Sequence, residues 1–130
     1  MDTNVLFAAF VSREGRCARL VEALIEGHTL VSSEFILGEL AEKLTTKRGL
    51  DARLVDQQVD FVRDAAVLVT PAPLDRSVFS DVDDLPVLGT AVAAGADCLV
   101  TGDRALRRVG RIGESAVLTP AELAQLLAIR

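Results

Sequence analysis

Apolar residues recur along the chain with two different periods. Short runs rich in β-branched residues predict four buried strands, at residues 30–32, 66–70, 98–101 and 116–118. Between these runs, apolar residues spaced three and four apart predict helices at residues 17–26, 34–46 and 54–64. Strands that alternate with helices indicate an α/β fold, with a parallel central sheet covered by helices on both faces.

Two further helices carry boundary signals. Residues 85–94 have a helical period, with Asp84 placed to cap the start and Gly95 to cap the end. Residues 119–122 read Thr-Pro-Ala-Glu, a capping box with proline at the first helical position, and predict a last helix. No repeat or linker-like stretch divides the chain, so we expect a single domain over residues 1–130.

The opening of the chain departs from this pattern. A parallel sheet of this kind normally begins with an apolar strand, yet Asp2 follows Met1 directly. We therefore predict a three-layer α/β/α sandwich whose first strand is truncated. The opening residues also contain no basic segment followed by an apolar run, so no signal peptide is indicated.

Composition favours a folded cytoplasmic domain. Half of the residues are apolar and the mean hydropathy is +0.34, which excludes a disordered chain. Cys17 and Cys98 lie in apolar stretches and are expected to be buried free thiols. The longest apolar run, residues 85–100, is interrupted by Pro86 and Gly89, so we expect no membrane association.

Charge is unevenly distributed. The net charge of −5 argues against a general nucleic-acid binder. Four arginines nevertheless cluster in one short stretch, at Arg104, Arg107, Arg108 and Arg111. We interpret Arg104, Arg107 and Arg108 as phosphate contacts along an RNA backbone. The alternative is that they form a solvated helix face.

Four acids occupy similar places in the predicted architecture. Chemistry in parallel sheets gathers at the carboxyl ends of the strands. Glu39, Asp84 and Asp103 lie near those ends or in the helices that follow, and Asp2 opens the chain. Clustered carboxylates repel one another without a cation, and Mg²⁺ and Mn²⁺ prefer oxygen ligands. The sequence therefore indicates a divalent-metal site suited to phosphodiester hydrolysis.

Each acid also has a purely structural interpretation. Asp84 is a possible helix cap, and Asp103 a possible turn residue after a glycine. Glu39 is a possible ion-pair partner of Lys43, four positions along the same helix, and Asp2 a possible disordered terminus. Spacing alone does not decide between these interpretations and the metal site.

Four segments, taken in order, resemble the motifs of PIN domains. Residues 2–6, Asp-Thr-Asn-Val-Leu, resemble the opening signature. Residues 33–40 resemble the second motif, with Glu39 as its acid. Residues 81–91 resemble the third, with Asp84 seven positions before Ala91. Residues 99–103 resemble the fourth, with Asp103 as its acid and Thr101 as the accompanying hydroxyl.

The resemblance implies an Mg²⁺- or Mn²⁺-dependent endoribonuclease. Its catalytic acids would be Asp2, Glu39, Asp84 and Asp103, and its metal ligands would be Asp2, Asp84 and Asp103. Asn4, Thr101 and Asp81 would support the site, and Asp81 and Asp83 are alternative acids beside Asp84. Glu39 would complete the site or orient the water that attacks phosphorus in line as the 3′ oxygen leaves.

The ending at residues 119–122 resembles one branch of that family, the toxins of toxin–antitoxin pairs. This resemblance implies a small antitoxin protein that blocks the site, and a homodimer. Two other hypotheses remain open. One is a catalytically idle PIN-like module for binding or dimerisation, and the other is a metal-dependent phosphohydrolase acting on a small phosphoester. Because the first strand is truncated, we expect the isolated chain to bind metal weakly or not at all.

Overall fold

A computed structural model describes residues 1–129 as alternating helices and strands. The helices are α1 (Thr3–Val11), α2 (Arg16–Gly27), α3 (Glu34–Thr46), α4 (Ala52–Ala65), α5 (Leu85–Ala94), α6 (Arg104–Val109) and α7 (Pro120–Leu126). The strands are β1 (Val31–Ser32), β2 (Val67–Leu68), β3 (Cys98–Val100), β4 (Arg111–Ile112) and β5 (Ser115–Leu118).

The strands form two small sheets. β1 pairs with β2 in parallel, and Val31 lies opposite Val67. β3 pairs in parallel with β5, and β4 closes the outer edge of β5 in the antiparallel direction. The mixed α/β character and the parallel pairing agree with the prediction. Within residues 1–129, however, the strands form two separate sheets and do not join into one central sheet.

Where the hydrophobic period is clear, the predicted boundaries agree with the structure. α3 and α5 begin and end where the sequence predicts. Gly95 caps α5 with a φ of 57°, a left-handed conformation that glycine adopts without strain. The capping box of α7 is present, with the Thr119 hydroxyl accepting from the Glu122 amide at 3.0 Å. The four predicted strands also form: β1, β2 and β3 are shorter than the sequence indicates, β5 is one residue longer, and the short strand β4 was not predicted.

Helix α1 sets the position of the chain's first residues. Val5 and Leu6 are almost completely buried, and α1 packs against both α2 and α3. Leu37 and Leu40 of α3 are fully buried in the same core. Truncation of one such leucine to alanine typically costs about 2–5 kcal/mol. The start of α1 is therefore anchored by core packing, and Asp2 immediately precedes it.

The segment that leads from β2 to α5 lies directly on that helix. The Ala72 amide donates to the Gly89 carbonyl at 2.9 Å. A β-carbon at Gly89 would lie 2.3 Å from the Ala72 oxygen, which is far inside van der Waals contact. Glycine at this position therefore permits the backbone of the connection to lie against α5, and Asp84 follows at the end of that connection.

Two sequence expectations concern membrane association and the state of the cysteines. Within residues 1–129, no helix is long and apolar enough to cross a membrane. Cys17 and Cys98 are free thiols, as expected, but they are half-buried and not in the centre of the core.

Candidate metal centre

Asp2 is fixed from two sides. Its backbone amide donates to the Val100 carbonyl at 2.9 Å, and its Oδ2 accepts from the Thr101 hydroxyl at 2.7 Å. Its exposed fraction is only 6%. The interpretation of Asp2 as a disordered terminus is therefore wrong. The packing of α1 and the hydrogen bond to β3 hold it in place.

Thr101 connects two of the acids. Its side chain is completely buried, and while the hydroxyl donates to Asp2 its oxygen accepts from the Asp103 amide at 3.0 Å. The Thr101 amide donates to the Leu118 carbonyl of β5 at 2.9 Å. A hydroxyl that both donates and accepts in a buried position fixes the relative orientation of Asp2 and the backbone of Asp103.

Glu39 has a different partner from the one that its helix alone suggests. Thr3 at the start of α1 donates its hydroxyl to Glu39 Oε1 at 2.7 Å. Lys43 instead donates to the side-chain oxygen of Asn4. The interpretation of Glu39 as the ion-pair partner of Lys43 is therefore wrong. Thr3 was not identified as a site residue from the sequence, although it stands inside the opening motif.

Asp84 is not a simple helix cap. It occupies the position before α5, but its carboxylate makes no capping hydrogen bond. Burial raises the pKa of Asp84 to about 6, and repulsion from Asp81, Asp103, Asp2 and Glu39 adds to the shift. Electrostatic repulsion of this kind requires that the carboxylates lie near one another. The predicted acids Asp2, Glu39 and Asp103 therefore lie near enough to Asp84 to act on its carboxyl group electrostatically.

Asp103 has two tasks. Its Oδ1 caps α6, accepting from the Ala105 amide at 2.8 Å and from the Leu106 amide at 3.4 Å. Its Oδ2 has no hydrogen-bond partner among residues 1–129. The cap fixes the direction of the carboxylate and leaves one oxygen for another ligand.

Asp81 is exposed, and its Oδ1 accepts from the Asp83 amide at 3.0 Å, so its main contact is within its own turn.

The chemistry of these donors fits a hard divalent cation. The only donor atoms that these side chains offer are carboxylate oxygens. Asp2, Glu39 and Asp103 each use one carboxylate oxygen in a hydrogen bond within the protein, and the other oxygen remains for a ligand. Mg²⁺ and Mn²⁺ bind through a few carboxylates and retain several waters. In the part of the chain that the structure describes, no three such side chains converge closely enough to form a ready-made cage. The arrangement therefore fits a cation held partly through water.

A basic surface begins beside the acids. Arg104, Arg107 and Arg108 of α6 are exposed and line an open depression of about 410 Å³ together with Val117 and Glu122. Since Asp103 caps α6, these arginines follow directly from the acid cluster along one short helix. Arg111 is occupied elsewhere, donating to the Glu114 carbonyl at 2.9 Å.

Acidic side chains that offer only oxygen, beside a basic surface on an α/β fold, are the arrangement expected of proteins that act on phosphate esters with a divalent cation. Comparison with known families makes this more specific. The sequence model of the PIN domain matches residues 1–105, a span that includes all four acids. The chain therefore belongs to the PIN domain family, a family of nucleases that typically use divalent metals. A search of curated proteins gives no match.

Proposed function

We propose that this PIN domain is an endoribonuclease that hydrolyses RNA phosphodiester bonds with Mg²⁺ or Mn²⁺. The observation that supports this most strongly is the cluster around Asp84, whose pKa is raised to about 6 by burial and by four neighbouring carboxylates. In the absence of a ligand, such a cluster is unfavourable at neutral pH. A divalent cation neutralises the carboxylates and removes their mutual repulsion, so the arrangement is favourable when a cation is bound.

The side chains have separate tasks in this proposal. Asp2, Asp84 and Asp103 would hold the cation, directly or through water, because each has a carboxylate oxygen without another partner. Glu39, oriented by Thr3, would complete the site or orient the attacking water through its second oxygen. Thr101 would keep Asp2 in place, and the Asn4–Lys43 hydrogen bond would hold α1 against α3. When bound, the cation lowers the pKa of a water and stabilises the charge that develops on the phosphate.

The arginines of α6 suit the backbone of a nucleic acid better than a small phosphoester. Arg104, Arg107 and Arg108 extend the positive surface over one helix, so several phosphates can be contacted at once. RNA as the substrate follows from the family resemblance. With no tryptophan and no tyrosine, the chain has little capacity for base stacking, which favours weak sequence preference.

The deciding experiment is cleavage of a mixed-sequence single-stranded RNA with Mn²⁺, with EDTA, and with the variant Asp103→Asn. Asparagine retains an oxygen that can cap α6 but removes the charge, so the fold is expected to persist. Asp56→Asn is a matched control, because Asp56 is exposed on α4, a helix that carries none of the four acids. We expect cleavage that requires Mn²⁺, persists in Asp56→Asn and is lost in Asp103→Asn. Cleavage in EDTA, or by Asp103→Asn at the unchanged rate, would exclude the proposal.

The same experiment separates other phosphohydrolases. The protein is tested in parallel with single-stranded DNA of the same length and with a chromogenic phosphomonoester. Metal-dependent turnover of the phosphomonoester without cleavage of RNA would favour a small-molecule phosphohydrolase. Cleavage of DNA at a rate equal to that of RNA would broaden the substrate class from RNA to single-stranded nucleic acid.

The partner belongs to the proposal as well. As the toxin of a toxin–antitoxin pair acting in the cytoplasm, the chain would form a homodimer and bind a small antitoxin at the acid cluster. Induced expression in bacteria is expected to arrest growth, while expression of Asp103→Asn at the same level is not. Growth arrest by both proteins would show that toxicity does not come from this site.

One observation favours a second function, a PIN-like module that binds or dimerises without catalysis. Among residues 1–129, the acids do not form a ready-made cation cage. Titration calorimetry with Mn²⁺ separates the two functions. Binding that Asp103→Asn weakens supports the enzyme, whereas no detectable heat together with no RNA cleavage supports the idle module.

A further inference from the structure

A second basic group lies on α3. Its members are Lys43, within the helix, and Lys47, which follows the last helical residue. They stand four and eight residues after Glu39, so the three side chains share one face of the helix. Lys43 is half-buried and Lys47 is exposed. These α3 lysines therefore begin one helical turn beyond an acid of the metal centre, as the α6 arginines begin directly after Asp103.

Lys43 is held beside the acids without being neutralised by any of them. A glutamate four residues before a lysine is a favourable ion pair on a helix, yet Glu39 and Lys43 do not form it. The Lys43 ammonium donates instead to the side-chain oxygen of Asn4. Among residues 1–129, neither of the α3 lysines makes an ion pair. The charge of both side chains therefore remains uncompensated.

Consecutive residues at the start of α1 keep the acid and the lysine apart. Thr3 donates its hydroxyl to Glu39 at 2.7 Å, and Asn4 accepts from Lys43. A lysine ammonium has three N–H donors, so the bond to Asn4 leaves two of them for a ligand. Because the Asn4 amide is neutral, this contact directs the ammonium and leaves its charge intact.

The arrangement at Lys43 favours an anionic ligand. Ordering a long lysine side chain costs conformational entropy, and a bond to a neutral amide returns no ion-pair energy. The ordering is therefore most favourable when the remaining donors meet an anion. Phosphate is such an anion, and lysine binds it as a compact point charge. The same metal centre that would hydrolyse a phosphodiester thus has an oriented cation beside it.

The two basic groups lie beyond different acids, on separate elements. α6 packs on β5, whereas α3 packs on α1, α4 and α5. Asp103 directly precedes α6 and Glu39 lies in α3, and both act electrostatically on Asp84. The acids therefore stand between the α6 arginines and the α3 lysines. A strand of phosphates that stayed on α6 would not reach Lys43, but one that crosses the acids meets both groups.

We propose that Lys43, held by Asn4, contacts an RNA phosphate on the opposite side of the acids from α6, and that Lys47 extends this contact. The inference rests on the proposed function and adds the path of the strand to it. Phosphates on one side of the bond to be cut bind the α6 arginines, and phosphates on the other side bind the α3 lysines. Contacts on both sides fix the position of the bond between them.

The experiment measures binding of a mixed-sequence single-stranded RNA in the Asp103→Asn background, which prevents cleavage. Lys43→Gln keeps a donor for Asn4 but removes the charge, and Lys43→Arg keeps the charge. Arg53→Gln is the control, because Arg53 is exposed on α4, a helix that carries none of the four acids. The dissociation constant is measured at several salt concentrations, and the melting temperature of each variant is recorded.

We expect Lys43→Gln to weaken binding at low salt by at least about fivefold, since a hydrogen bond between charged groups is lost. The salt slope should become shallower by about 0.7, the contribution of one phosphate contact on a single strand. Lys43→Arg and Arg53→Gln should bind as the background protein does. In combination with Arg107→Ala the two losses should multiply, because both residues hold the same strand.

Asn4→Ala separates orientation from charge. It leaves Lys43 charged but free to pair with Glu39, so binding should weaken. Addition of Lys43→Gln to Asn4→Ala should then weaken binding much less than Lys43→Gln does alone. Equal effects of Lys43→Gln with and without Asn4 would show that Asn4 does not direct the ammonium toward the RNA.

Two results would overturn the inference. One is an unchanged dissociation constant and salt slope in Lys43→Gln, and the other is a double variant that binds no more weakly than Arg107→Ala alone. In the protein that retains Asp103, Lys43→Gln should raise KM while kcat stays within about twofold. Absence of cleavage by that protein would count against the proposed nuclease only, because binding in the Asp103→Asn background still decides whether Lys43 contacts the strand.

Discussion

At the scale of single residues, the site depends on hydroxyls as much as on acids. Thr101 joins Asp2 to the backbone of Asp103, and Thr3 orients Glu39. Neither hydroxyl has to contact a cation to matter. Each directs one carboxylate oxygen away from solvent and so determines which oxygen remains for a ligand.

Thr101→Val tests this positioning role. Valine has nearly the same shape but neither donates to Asp2 nor accepts from the Asp103 amide. The loss of two buried hydrogen bonds is expected to lower the free energy of unfolding by about 1–3 kcal/mol, measured by urea denaturation. Thr101→Val should also raise the Mn²⁺ concentration needed for half-maximal cleavage, because Asp2 is no longer oriented. Thr101→Ser retains the hydroxyl and should need about the same Mn²⁺ concentration as the original protein. If valine and serine variants require the same Mn²⁺ concentration, Thr101 is only structural.

The raised pKa of Asp84 leads to a pH prediction. The pKa of Asp84 in the folded state is about 6, above the usual value for aspartate. Its favourable contribution to the free energy of unfolding is therefore fully present below about pH 4 and is lost as the pH rises through 6. The metal-free protein should therefore lose stability relative to Asp84→Asn between pH 4 and 7. After allowance for solvent screening, we expect a difference on the order of 1 kcal/mol from urea denaturation at several pH values. A difference that does not change with pH would contradict the shift.

The same charge predicts when metal binding is strongest. Protons and cations compete for Asp84, so Mn²⁺ should raise the melting temperature more at pH 7.5 than at pH 5. In Asp84→Asn, the dependence of this increase on pH should be much weaker. An equal increase at both pH values in the original protein would show that Asp84 does not take part in metal binding.

At the scale of secondary structure elements, sequence reasoning succeeded where one face of an element is buried. α3 and α5 were predicted to their ends, because a capping residue or a terminal glycine marks their boundaries. α1 was not predicted, since its sequence is almost entirely apolar and shows no period. α6 was anticipated only as the alternative of a solvated helix face, because six residues are too few to display an apolar stripe. β1, β2 and β3 are shorter than predicted and β5 is one residue longer, since strand length depends on the neighbours available for pairing.

The residues of the site also divide into those that the sequence identified and those that it did not. The acids were identified because their motifs are local in the sequence, and Asp84 and Asp103 stand at helix starts. The role of Thr3 was not, since its contact with Glu39 joins residues 36 positions apart. Which carboxylate oxygen is occupied is likewise a tertiary property, and no sequence pattern reports it.

The close approach at α5 gives a prediction at this scale. Gly89→Ala places a β-carbon 2.3 Å from the Ala72 oxygen, so the connection before Asp84 must move or the helix must shift. We expect a loss of about 1–3 kcal/mol in the free energy of unfolding. Gly38→Ala is the matched control, because Gly38 lies within α3 and nothing lies within 4 Å of an added β-carbon.

The control should behave in the opposite way. Alanine has a higher helix propensity than glycine, so Gly38→Ala is expected to stabilise the protein by about 0.5–1 kcal/mol. Both changes are measured by urea denaturation under the same conditions. Similar effects of the two substitutions would show that the contact between Gly89 and Ala72 does not limit the packing of this connection.

At the scale of the whole molecule, an acidic protein has to hold a polyanion. The net charge of −5 repels nucleic acid at long range, and the acid cluster adds to this repulsion wherever no cation neutralises it. Binding must therefore depend on the local surface of α6, where Arg104, Arg107 and Arg108 line one depression. This arrangement makes the affinity sensitive to salt and to these few residues.

The salt dependence of RNA binding measures how many of these arginines contact phosphate. With Asp103→Asn used to prevent cleavage, the logarithm of the association constant should fall linearly with the logarithm of salt concentration. For single strands, each phosphate contact contributes a slope of about −0.7. Adding Arg107→Ala and Arg108→Ala should therefore make the slope shallower by about 1.4, whereas Arg53→Ala on the exposed face of α4 should leave it unchanged. A slope that stays the same when both α6 arginines are removed would mean that the RNA follows another surface, and α6 would then be only a solvated helix.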